Sequence, residues 1–171
     1  ESKIRQGVTT EIGGNCGGSQ FPVADSDFDA RRERYGSEYG IELTWRDIGG
    51  FFRQIEQTGT AINHAELLGH GTLRSYVMGP NDRPPSPEEL ARMTAVVEEH
   101  LTAGAMGLST GLIYTPGSFA KTDELVELCR VVARYGGVYA THMRSEAENV
   151  LDAVDEALAV AQGSGVSLQI S

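Results

Sequence analysis

The chain has 171 residues, a length suited to one domain, with 40% apolar residues, enough for a core, and 22% charged. Fourteen Lys and Arg against twenty-four Asp and Glu give a net charge of −10, which argues against nucleic acid or an anionic membrane as partner. No run approaches the ~20 apolar residues of a membrane span, no signal-peptide pattern opens the chain, and two cysteines are too few for a disulfide scaffold, so a reducing cytoplasm is the expected setting.

Short β-type runs alternate with amphipathic stretches. Val8 to Ile12 reads as a first strand, bounded by Gly7 and Gly13-Gly14. Gly18 to Gly40 shows no period and is expected to be an excursion loop. Thr44 is expected to cap a helix carrying Ile48, Phe51, Phe52 and Ile55, and Thr60 to Leu68 reads as the next strand. Tyr76 to Pro85, rich in Pro, Gly, Asn and Asp, predicts a second loop. Ser86-Pro87-Glu88-Glu89 offers a capping box with Pro at the first helical position, ahead of Leu90, Met93, Val97 and Leu101 at helical spacing. Ala105 to Ser109 predicts a third strand, and Thr122 a cap for the stripe Leu125, Leu128, Cys129 and Val132. Val138 to His142 predicts a fourth strand, Ser145-x-x-Glu148 a second capping box before Val150, Leu151 and Val154, and Val166 to Ile170 a fifth strand.

This alternation implies βαβ units and a parallel sheet. A dinucleotide fold would join strand to helix by Gly-x-Gly-x-x-Gly, and Gly13-Gly14-Asn15-Cys16-Gly17-Gly18 lacks that spacing. Polar, reactive residues gather after strand ends, where barrel sites are built, so the expected fold is α/β, part of a (β/α)8 barrel. A whole barrel takes roughly 250 residues; residues 1–171 read as a single incomplete unit, cut at both ends.

Three segments can carry chemistry. Cys16 lies between glycines just past the first strand, where a thiolate could ligate zinc or act as a nucleophile, or a small side chain simply fills a turn. His142 ends a strand and is followed by Met143-Arg144-Ser145-Glu146, polar where a core would be apolar; it suits zinc, or a hydrogen-bonded structural role. Tyr114, in Leu108-Ser109-Thr110-Gly111-Leu112-Ile113-Tyr114-Thr115-Pro116-Gly117, stands in a loop able to shape a substrate pocket or to form a plain turn. His70 can contact substrate or pin its loop, His64 has no assigned facing, His100 beside Glu98-Glu99 reads as solvated, and Cys129 as core packing.

Gly-Val-Thr-Thr-Glu-Ile-Gly-Gly-Asn-Cys-Gly, Leu-Leu-Gly-His-Gly-Thr-Leu-Arg, Gly-Ala-Met-Gly-Leu-Ser-Thr-Gly-Leu-Ile-Tyr-Thr-Pro-Gly and Tyr-Ala-Thr-His-Met-Arg-Ser-Glu, in that order, resemble the D-aminoacylase (N-acyl-D-amino-acid deacylase) branch of the amidohydrolase superfamily. The resemblance covers the whole chain and implies about strands 2 to 6 of a (β/α)8 TIM barrel. It implies zinc-dependent hydrolysis of N-acyl-D-amino acids to a carboxylate and a free D-amino acid. Cys16 matches the family's thiolate zinc ligand and His142 a zinc-ligating histidine; Tyr114, with His70 and Arg144, is expected to bind substrate. The family's His-x-His pair is expected ahead of Glu1, and its later histidine and catalytic aspartate beyond Ser171, so no catalytic base is assigned among these residues. The remainder of the barrel, or an assembly covering both edges, is the expected partner. The alternatives are a cyclic amidohydrolase of the hydantoinase or dihydroorotase kind, disfavoured by Cys16 and by the lack of a lysine near Ala105, and a non-catalytic structural fragment.

Overall fold

The structure is a computed structural model that describes residues 2–171. Its clearest local match to sequence is at Ser86. The Ser86 hydroxyl accepts from the Glu89 N–H, the Glu89 carboxylate accepts from the Ser86 N–H, and Pro87 opens helix α5 (Pro87–Thr102). The other helices are a short α1 (Ser2–Arg5), α2 (Asp25–Tyr39), α3 (Ile48–Thr58), α4 (His70–Met78), α6 (Thr122–Arg134) and α7 (Val150–Ser164). None is long and apolar enough to cross a membrane.

Several helix boundaries differ from the sequence-based expectation. The stretch expected to be a loop from Gly18 to Gly40 contains α2, which has no buried residue and hence no apolar stripe to read. Two aspartates in its first turn, the Arg34–Glu38 pair one turn apart and a left-handed Gly40 at its end hold it instead. Asp47, not Thr44, caps α3, accepting from the Gly50 N–H at 2.7 Å; the Thr44 hydroxyl reaches Gln54. Thr122 is the first residue of α6 and bonds Glu156 rather than its own backbone. The capping box expected at Ser145 does not form, because the Ser145 hydroxyl takes the Ala147 N–H in an irregular turn and α7 starts only at Val150. The loop predicted from Tyr76 begins after Met78, where α4 ends.

The strands are β1 (Thr10–Gly13), β2 (Asn63–Glu66), β3 (Leu68–Gly69), β4 (Gly107–Gly111), β5 (Val138–His142) and β6 (Ser167–Ile170). The run predicted as one strand from Thr60 to Leu68 is split at Leu67, with β2 paired to β1 and β3 paired to β4. Leu67 donates to the Gly13 carbonyl and Met106 donates to that of Glu66, so the seam is still bonded on both sides. All pairings are parallel, and spatial order follows chain order throughout. A doubly wound sheet reverses its strand order at a switch point, and this one does not. The arrangement is that of a partial (β/α)8 barrel.

Strand alternation sorts the two faces. Glu66, Leu68, Leu108, Thr110, Tyr139, Thr141 and Leu168 share the face under the helices, as the register dictates. The core lies there: Leu68, Leu108 and Tyr139 pack with Leu73, Met93, Val97, Leu125, Leu128, Val132 and Val160 from α4 to α7. Cys129 is fully buried among them, and burial pushes its thiol up, as expected of a packing residue. The opposite face carries Thr10, Ala65, Gly69, Gly107, Ser109, Ala140 and Gln169, mostly small or polar side chains.

Candidate active site

Three segments meet at the C-terminal end of the sheet around Gly111. Gly111 is in register with His142 on the next strand, and the Leu112 N–H donates to the His142 carbonyl at 3.0 Å. From the other side comes the loop after β1. The Cys16 carbonyl oxygen lies 2.2 Å from where a Cβ on Gly111 would sit, so only glycine admits the loop. Ser109 ties it down: its hydroxyl donates to the Gly14 carbonyl and accepts from the Gly17 N–H at 3.0 Å. Cys16 itself is exposed and left-handed, with φ 55°, a conformation that costs a non-glycine residue of order 1 kcal/mol and collects at functional positions.

Tyr114 stands just past β4, 54% exposed, with its ring edge-on to His142 at 5.2 Å between centroids. The Nε2 of His142 is buried without a hydrogen-bond partner, the Glu146 carboxylate being 3.4 Å away. A thiol, an unpartnered imidazole nitrogen and a phenol are thus carried by the C-terminal ends of β1, β5 and β4. Cys16, Tyr114, Gly71, Thr72 and Arg31 line a cleft of about 330 Å³ there. Among the described residues, no three His, Cys, Asp or Glu side chains form a set able to hold a metal ion.

The other expected site residues lie elsewhere. His70 has no solvent exposure; its Nε2 meets Glu124 at 2.8 Å beside the fully buried Arg74, whose Nε donates to the same carboxylate at 3.0 Å. Of the two roles open to His70, substrate contact and pinning its loop, this geometry favours the second, since a carboxylate in the core holds the ring. Burial would raise the Glu124 pKa, but His70 and Arg74 together hold it below the usual carboxylate range. Arg144 is likewise taken up, by Glu156 and the carbonyls of Ser118 and Ala120, so it fastens the loop after β4 and lies away from the Cys16 cleft. Ser109, at the end of the predicted strand, and Thr110, just past it, are both buried strand residues, Thr110 bonding Tyr139 and Thr141. His100 is buried, not solvated: it stacks on Phe21, with Nδ1 2.8 Å from the Val96 carbonyl. His64 bridges Glu11 and Glu66 at 3.2 and 2.6 Å, and burial raises the Glu66 pKa against the pull of that imidazole.

Arg31 was not anticipated, because α2 gives no apolar period. The signal available was charge: Asp25 and Asp27 suit the first turn of a helix, and Arg34 and Glu38 stand one turn apart on a polar stretch.

No family model matches the chain. It is 38% identical over 171 residues to the D-aminoacylase of Alcaligenes xylosoxydans xylosoxydans, covering 99% of this chain and 34% of that protein. It is 39% identical over 160 residues to the N-acyl-D-aspartate deacylase of the same organism, covering 92% of this chain and 32% of the relative. The crystal structure of the N-acyl-D-glutamate deacylase of Bordetella bronchiseptica superposes with a TM-score of 0.85 at 36% identity, over 97% of this chain and 34% of that one. The chain belongs to the D-aminoacylase family. It spans about a third of the length of the curated relatives it matches. The Bordetella enzyme was crystallised with zinc and a phosphonate mimic of the tetrahedral intermediate.

Proposed function

We propose that these residues form part of a zinc-dependent hydrolase that cleaves the amide of N-acyl-D-amino acids, within a longer enzyme. The observation that carries the reading is the pairing of an exposed left-handed Cys16 with the unpartnered buried Nε2 of His142 at one end of the sheet. Both atoms suit zinc, a borderline-soft ion bound by thiolate and imidazole, and its other donors would come from outside this stretch. When bound, the ion lowers the pKa of a coordinated water from 15.7 towards ~7 and polarises the amide carbonyl.

The chain's own residues do the rest of the work at this wall of the site. Cys16 presents its sulfur from a loop fixed by Ser109, so little reorganisation accompanies binding. His142 offers Nε2 as a lone-pair donor, its ring held edge-on by Tyr114. The Tyr114 phenol, exposed over the cleft, orients the substrate beside these donors. The test is hydrolysis of N-acetyl-D-amino acids by the complete enzyme before and after chelation. We expect turnover to vanish with the metal and to return with zinc; turnover that persists after full metal removal would overturn the proposal.

A further inference from the structure

Arg144 is bound more fully than an ion pair requires. Its Nε and one terminal nitrogen donate to the two oxygens of Glu156 at 2.9 and 3.0 Å, the bidentate arrangement a planar guanidinium favours. The rest of the fork goes to backbone in the loop after β4, to the Ser118 carbonyl at 2.8 Å and the Ala120 carbonyl at 2.9 Å. Glu156, on α7, also accepts from the Thr122 hydroxyl at 3.1 Å, where that loop runs into α6. Ser118 is the link to the candidate site. Its N–H donates to the Tyr114 carbonyl at 2.8 Å, while its own carbonyl is the one Arg144 holds. Arg144 stands two residues past His142, whose carbonyl accepts from the Leu112 N–H. Both ends of the Tyr114 segment are therefore tied to the stretch that carries His142.

Tyr114 needs such a tie. Its ring is half exposed, lies over Gly111, meets His142 edge-on and takes no part in the core. A ring without core packing keeps its place only when its backbone is held by a supporting shell. Arg74 touches this loop from the other side, but only at the Pro116 carbonyl, 3.5 Å away, and its shorter bonds go to Glu124 and Arg83. We propose that Arg144 is a positioning residue: with Glu156 it clamps the loop after β4 so that the Tyr114 phenol stays beside His142. The inference rests on the hydrolase reading above and deepens it, because Arg144 is taken up by protein partners and acts through Tyr114. A shift of about 1 Å in a group that orients substrate can cost about 100-fold in rate.

The experiment is a double-mutant cycle in the complete enzyme, crossing Arg144→Met with Tyr114→Phe and reading kcat/KM on N-acetyl-D-amino acids. Arg144→Met alone should lower kcat/KM by about 10- to 100-fold. Arg144→Lys, whose single ammonium cannot span Glu156 and two carbonyls, should recover only part of the loss. With the Tyr114 hydroxyl already removed, Arg144→Met should cost no more than about 2-fold, the scatter of independent sites. An equal loss in both backgrounds would overturn the inference, because a merely structural arginine does not depend on that hydroxyl; so would an Arg144→Met enzyme as active as the parent. Should Arg144→Met fail to fold, Glu156→Gln takes its place in the cycle under the same criterion. If the wild type hydrolyses no N-acetyl-D-amino acid, the hydrolase reading fails by itself. The clamp is then judged by fluorine NMR of the 3-fluorotyrosine-labelled enzyme, with the Tyr114 signal assigned by its loss in Tyr114→Phe. A Tyr114 resonance that Arg144→Met moves or broadens supports the clamp, and one left in place refutes it.

Discussion

Arg74 is a cation with no access to solvent, and burying an isolated guanidinium costs several kcal/mol. The fold meets that cost with Glu124 and with the carbonyls of Asn81, Arg83 and Pro116, which come from the loops after α4 and after β4. Glu124→Gln removes the counter-charge and leaves Arg74 uncompensated, so a loss of about 3–5 kcal/mol is expected in chemical denaturation. The pH dependence has a definite sign. Because the folded-state pKa of Glu124 is depressed, its stabilisation is complete above its ordinary value of 4.5 and is lost as pH falls through the lower folded value. Acid unfolding curves of Glu124→Gln should be flatter over that range than those of the parent. Cys16 and Cys129 make a contrasting pair. Cys16→Ala should lower the zinc content of the complete enzyme, whereas Cys129→Ala should keep the metal and cost about 1 kcal/mol of packing; unchanged metal in Cys16→Ala would refute the ligand assignment. Tyr114 is exposed and touches His142 rather than the core, so Tyr114→Phe should change kinetics and leave the melting temperature nearly where it was.

At the scale of elements, legibility tracked how local the determining forces are. The α5 start was readable because its capping box involves only Ser86, Pro87 and Glu89, and the same locality makes it testable: Ser86→Ala should cost about 1 kcal/mol in thermal unfolding. Strand β5 was readable to the residue, since Val138 to His142 is a short run with β-branched and aromatic residues between Gly137 and a polar segment. Helix α2 was not, because its stabilisation comes from charge order rather than burial. The start of α7 was missed for a tertiary reason. Arg144, beside the expected box, is drawn to Glu156 and to carbonyls across the loop, and the intervening residues follow it out of helical geometry. His100 was misread although the signal existed: with Met93, Val96 and Val97 it falls on the buried face of α5, and adjacent Glu98 and Glu99 obscured that spacing. The Cys16, His142 and Tyr114 segments were visible as polar interruptions after strands, whereas Arg31 needed the path of α2 to bring it there.

For the whole molecule, the sheet explains both what these residues hold and what they require. The inner face is mostly small or polar, through Gly107, Ser109, Ala140 and Gln169, with Ile12 and Val138 as the larger apolar exceptions. On the proposed reading Cys16 and His142 supply two donors, where a zinc site needs three or four. A polypeptide of these 171 residues alone, supplied with zinc, is expected to hydrolyse no N-acyl-D-amino acid, and turnover by that polypeptide as a monomer would contradict this. Ser109 bears on timing as well as geometry. It holds Gly17 across 92 positions of sequence, beside the nearer bond from the Thr72 N–H to the Gly17 carbonyl, so the loop that presents Cys16 gains its last anchor only when β4 has docked. Contacts this distant form late, after their loop-closure entropy has been met. The thiol should therefore be among the last features to mature: in refolding followed by pulses of a thiol reagent, core Cys129 becomes protected first, and Cys16 reaches its final reactivity only afterwards. Ser109→Ala would then leave the core to form on schedule and delay the reactive loop alone.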